Sequence, residues 1–125
     1  MSRFILPVAF ALLLPSCGGS DVFCSYEASG VMTACADYTF SGDSQGQDVN
    51  SLEQESCTSG GGTVVGSCST ADTLGTCTLT ASTGSATLSA VEYLYATSGA
   101  TAAEAQARCE SLNGTDGLST TWSAP

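Results

Sequence analysis

The sequence predicts an α+β domain: an antiparallel sheet with two short helices, built from two tandem ββα(β) units and held by disulfides. Three observations carry this. Two stretches alternate apolar and polar side chains with the period of a strand, each partnered by a shorter strand-like run across a turn. Thr101-x-x-Glu104 opens a helical segment with the pattern of a capping box. Cysteines recur at matching places in the two halves, Cys24 with Cys77 and Cys57 with Cys109.

The elements follow in order. Cys24 to Glu27 and Val31 to Phe40 form a hairpin turning at Ser29-Gly30. Met32, Ala34, Ala36, Tyr38 and Phe40 share one face, and Thr33, Cys35, Asp37 and Thr39 take the other. Residues 41–48, SGDSQGQD, are a polar loop. Val49 to Ser59 reads as a helix capped by Asp48 or Ser51 and stopped by Gly60-Gly61-Gly62. Thr63 to Ser67 is a short strand, and residues 69–76 a loop. Cys77 to Thr80 and Thr87 to Ala96 form a second hairpin turning at Ser82-Thr83-Gly84, with Val91, Tyr93 and Tyr95 on one face. Thr101 to Leu112 is a helix with Ala102, Ala105, Cys109 and Leu112 as its apolar stripe. Glu104 and Arg108 stand four residues apart in the favourable order. Asn113-Gly114 stops the helix, and Leu118 to Trp122 is the last strand. The domain spans 23–122, with pseudo-repeats 23–67 and 76–122. Asp37-Tyr38 parallels Glu92-Tyr93 in this alignment.

Large aliphatic residues are scarce, so a hydrophobic core alone would be marginal at this size. Disulfides at about 2–4 kcal/mol each would compensate. The duplication favours Cys24–Cys57 and its equivalent Cys77–Cys109, leaving Cys35–Cys68. A sequential set competes: Cys24–Cys35, Cys57–Cys68 and Cys77–Cys109. In a hairpin centred on Ser29-Gly30, Cys24 and Cys35 fall directly opposite, so this alternative stays open.

Cys17 is the seventh cysteine, and an odd one needs an explanation. Ahead of it, Arg3 supplies a positive charge and Phe4 to Leu14 an apolar run, too short for the roughly 20 residues of a membrane span. Residues 1–16 therefore read as a secretory signal peptide. Leu14-Pro15-Ser16-Cys17 resembles the lipobox of bacterial lipoproteins. The resemblance implies cleavage before Cys17 and lipid on its sulfur, with residues 17–22 as the lipidated end and a short tether. Consumption of Cys17 leaves an even six for disulfides. Gly18 and Gly19, rather than an aspartate, follow Cys17; by resemblance this implies delivery to the outer membrane, on its periplasmic face or at the cell surface.

A second resemblance covers residues 24–122. The layout Cys24…Cys35-x-x-Tyr38…Cys57-x-x-Gly60 to Thr63…Cys68…Gly75-x-Cys77…Tyr93…Cys109 is similar to small cysteine-rich lipoproteins of deltaproteobacteria and spirochaetes. That group has no assigned activity, so the likeness implies architecture and no chemistry. Val64 stands where such proteins often carry a tryptophan.

Charge narrows the function. Twelve acids face two basic residues, both arginine, for a net charge of −10. Loss of Arg3 with the signal peptide leaves Arg108 as the sole basic side chain. Such a chain repels phosphate backbones, which excludes nucleic acid as a partner. The expected partner is the membrane, through the lipid on Cys17. With neither histidine nor lysine, no serine has an activating base. Zinc spacing is absent too, and no cofactor is expected. Weak ligand candidates are Asp43 and Asp48 for calcium, and Tyr93, Tyr95 and Trp122, with Tyr26, as an aromatic platform that is otherwise core. Asp37 and Glu92 are the carboxylate pair a small hydrolase would need. Asn113-Gly114-Thr115 matches a glycosylation sequon but reads as a turn. The expectation is a non-catalytic, lipid-anchored envelope or cell-surface protein, acting by binding or as structure. A calcium- or carbohydrate-binding module comes second and a small hydrolase third.

Overall fold

The computed structural model describes residues 21–43 and 46–125. Residues 1–20, which hold the expected signal peptide, Cys17 and most of the expected tether, lie outside them. Eight elements follow in order: β1 (Val22–Ala28), β2 (Val31–Gly42), α1 (Val49–Ser59), β3 (Thr63–Val65), β4 (Thr73–Thr83), β5 (Ala86–Tyr95), α2 (Ala102–Ser111) and β6 (Ser119–Ser123). Single 3-10 turns occupy Ala96–Ser98 and Thr115–Gly117. The strands form one antiparallel sheet ordered β3-β1-β2-β5-β4-β6. The β2–β5 seam is central, and each outer strand follows a helix.

Both helices start where their caps dictate. Asp48 accepts a hydrogen bond from the Ser51 N–H at 3.2 Å and another from the Ser51 hydroxyl at 2.8 Å. Thr101 and Glu104 close a full capping box: Glu104 N–H donates to Thr101 Oγ1 at 3.1 Å, and Thr101 N–H donates to Glu104 Oε1 at 2.8 Å. Glu104 is thereby used at the helix start and does not pair with Arg108, contrary to expectation. The exposed face instead carries a Gln106–Glu110 bond at 2.9 Å. Beyond α2, Asn113 Oδ1 accepts from the Thr120 N–H, binding the helix stop to β6.

The three disulfides are Cys24–Cys57, Cys35–Cys68 and Cys77–Cys109. The sequential set does not form, for a reason specific to the first hairpin. Its register shifts between Tyr26 and Glu27, so Thr33 is an extra residue on β2. Upstream of this bulge Cys24 faces Ala36, not Cys35. A one-residue slip moves side chains to the opposite face, so Cys24 and Cys35 point away from each other.

One row then crosses all six strands: Val64, Cys24, Ala36, Glu92, Cys77 and Trp122. Residues directly opposite share a face. Cys24 holds α1 there and Cys77 holds α2, so both helices cover the same side of the sheet. Ala34, Leu94 and Ala105 form the core beneath α2, with Tyr26, Leu74 and Trp122 packed against it. Cys35 belongs to the other side, where its disulfide holds the loop between β3 and β4. Five of the eleven buried apolar residues described are cysteines. Sulfur therefore supplies much of what aliphatic side chains supply in larger cores.

Several boundaries differ from expectation. Val22, expected in the tether, begins β1, faces Tyr38 and is buried. Thr73 starts β4 earlier than Cys77, because that strand pairs along nearly all of β5. The second hairpin turns at Gly84-Ser85, where a glycine with φ +59 supplies the left-handed conformation.

Candidate functional site

The site best defined by geometry is a cleft of about 420 Å³ between α1 and the helix-covered side of the sheet. Helix α1 contributes Val49, Leu52, Glu53 and Ser56. Their spacing places all four on one helical face. The floor comes from Tyr38 and Phe40 of β2 and from Ala86 and Leu88 of β5, and Asp43 and Gln47 close one end. Tyr38 faces Ala90, Phe40 faces Leu88 and Gly42 faces Ala86, so these floor residues lie in successive rows of one face. Leu52, on the helix wall, and Leu88, on the sheet floor, are two of only four large apolar residues left exposed among those described.

Glu53 sits among these apolar groups. It is 9 % exposed, and neither carboxylate oxygen has a hydrogen-bond partner. Burial raises its pKa, and the negative charges of Asp21 and Asp37 push in the same direction. Tyr38, beside it, has its hydroxyl 3.4 Å from that of Tyr26. Burial, reinforced by that bond, raises the Tyr38 pKa. Glu53 escaped the sequence reading. Its signal is its position four residues before Cys57, on the helix face that the disulfide turns toward the sheet.

The sequence-derived candidates are scattered. Asp37 and Glu92 do not form a pair. Glu92 faces Ala36 and Cys77 on the helix-covered side, whereas Asp37 faces Val91 on the other, so the sheet separates them. The unbroken β2–β5 register sets Ala36, not Asp37, opposite Glu92. Each carries a raised pKa. Burial raises Glu92, partly offset by the Arg108 guanidinium; burial and then Asp21 raise Asp37.

The aromatic residues are divided in the same way. Tyr26 and Trp122 pack against the core under α2. Tyr93 and Tyr95 belong to the other face, where the Tyr95 hydroxyl donates to the Ser69 carbonyl at 2.7 Å. They do not make one platform. Tyr93 is half-buried, with Cys35 and Thr76 directly beside it. Of the calcium candidates, Asp48 is the cap of α1 and Asp43 lies at the cleft end. Among the described residues, no three His, Cys, Asp or Glu side chains are grouped to hold a metal ion. Nor is any described helix long and apolar enough to cross a membrane.

Comparison with protein-family models, with curated proteins and with solved structures finds no match for the chain.

Proposed function

We propose that this chain is a bacterial lipoprotein whose disulfide-bonded domain works by binding at the cell envelope, without catalysis. The observation that carries this reading is the cleft beside α1, which leaves Leu52 of the helix and Leu88 of the sheet exposed. Its volume lies within the range of about 300–1,000 Å³ usual for small-molecule sites. The absence of histidine and lysine from the sequence weighs against acid–base chemistry there. Three disulfides in a thin core suit an oxidising compartment outside the cytoplasm. Anchoring rests on the lipobox-like residues 14–17 and on the even cysteine count that Cys17 leaves behind.

The two halves read as copies of one ββα(β) unit. Each runs hairpin, helix, edge strand, and the sheet order places β1 with β4, β2 with β5 and β3 with β6 about the central seam. The disulfides Cys24–Cys57 and Cys77–Cys109 occupy corresponding places. Intact-mass measurement on the native protein tests the proposal. The expected species begins at Cys17, carries the mass of added acyl chains and has no free thiol. An unacylated chain, or one cut elsewhere, refutes the anchor.

A further inference from the structure

We propose that the cleft beside α1 binds a small amphipathic amine, with its ammonium group on Glu53 and its apolar body against Phe40, Leu52 and Leu88. The proposal rests on the reading of this domain as a binding module and names its ligand class.

Four observations converge. The cleft is mainly apolar along both walls, so it favours a hydrocarbon body. A carboxylate nine-tenths buried and without any hydrogen-bond partner lines that apolar space. Left alone, such a group costs far more than an exposed one, because its desolvation is uncompensated. The charges that act on Glu53 repeat its sign: Asp21 ahead of β1 and, across the sheet, Asp37 on β2. Arg108, the only cationic side chain in the described residues, sits on α2 and acts on Glu92 instead. Charge complementarity therefore asks for a cation from outside. A carboxylate or phosphate ligand would meet repulsion, and a neutral alcohol would leave the charge unmatched.

A primary ammonium satisfies both demands. It donates up to three hydrogen bonds, and a charge-assisted bond in a desolvated site is stronger than a neutral one. The exposed apolar area of Leu52 and Leu88 then gains cover from the alkyl body.

Calorimetric titration of the full disulfide-bonded chain with octylammonium, octanol and octanoate, each below its micelle concentration, tests this. Octylammonium is expected to bind more tightly than octanol, and octanoate not at all. Glu53→Gln should weaken octylammonium at least tenfold, about 1.4 kcal/mol, and leave octanol unchanged. Leu88→Ser, at an exposed position, should weaken every apolar probe without loss of fold. Equal affinity for octylammonium and octanol overturns the ligand class while leaving a binding module standing. No octylammonium binding to a folded protein overturns the site itself. Glu53→Gln binding octylammonium as the parent does also overturns the proposal.

Discussion

Removing the Cys77–Cys109 bridge by the double change Cys77→Ala, Cys109→Ala tests how far sulfur supports this fold. The two residues are 32 apart in sequence, and both are buried to within 2 %. Chain-entropy reasoning assigns a loop of that size about 3.7 kcal/mol of stabilisation through the unfolded state. Lost packing around two buried sulfur atoms adds to it. A small domain has only about 5–15 kcal/mol in total, and one with this few aliphatics sits near the lower end. At about 4–8 °C per kcal/mol the melting temperature should fall by roughly 15–30 °C. Urea unfolding followed by circular dichroism under non-reducing conditions measures the loss. The Cys35→Ala, Cys68→Ala variant is an internal control. Its loop is nearly the same length, at 33, but Cys68 is only half-buried. Chain entropy then predicts near-equal losses, and burial predicts a smaller one for this pair. A loss below about 1 kcal/mol on removing Cys77–Cys109 would refute the view that disulfides replace hydrophobic core here.

Two further outcomes follow from particular residues. A side chain at Gly75 would run into the Trp122 ring, so Gly75→Ala should destabilise by about 1–3 kcal/mol and alter the near-ultraviolet dichroism of Trp122; an unchanged melting curve would show that β6 shifts freely. Stability should also fall as pH rises from mildly acidic to neutral. Burial raises Glu53, Glu92 and Asp37 above their ordinary values of 4.5 and 3.8, so the native state holds protons that the unfolded chain has lost. That stabilisation is full below the ordinary values and disappears as pH climbs through the raised ones. Asp48 acts oppositely: its cap bonds lower its pKa, and its contribution is lost as acid protonates it in the native state. Urea midpoints across this range should decline toward neutral pH, with a shallower slope in Glu53→Gln. A rising profile would contradict the assignment.

Local signals in the sequence were strong wherever a short-range pattern determines structure. Val49 to Ser59 and the Thr101–Glu104 box are governed by caps and glycine stops within a few residues, and both helices form there. Strand alternation placed Ala34, Ala36, Tyr38 and Phe40 on one face, as the pairing with β5 requires. What escaped was relational. A bulge at Tyr26/Glu27 has no glycine or proline to announce it, yet it decides which side Cys24 takes. The Asp37–Glu92 pairing and the joint aromatic platform failed because face alternates with every residue: the register sets Glu92 in one row with Ala36, Cys77 and Trp122, which leaves Asp37, Tyr93 and Tyr95 on the other side. Glu53 was passed over because a lone glutamate on a polar helix resembles solvated surface until the disulfide turns that face inward.

The place where β1 begins has a consequence for orientation. Val22 lies alongside Tyr38, which forms part of the cleft floor. If the proposed lipid anchor is present, the cleft lies at the tethered end of the domain and the Ser29-Gly30 tip at the far end. Anything lodging beside Glu53 would then be drawn from the thin layer next to the supporting surface, where greasy molecules gather, rather than from open solution.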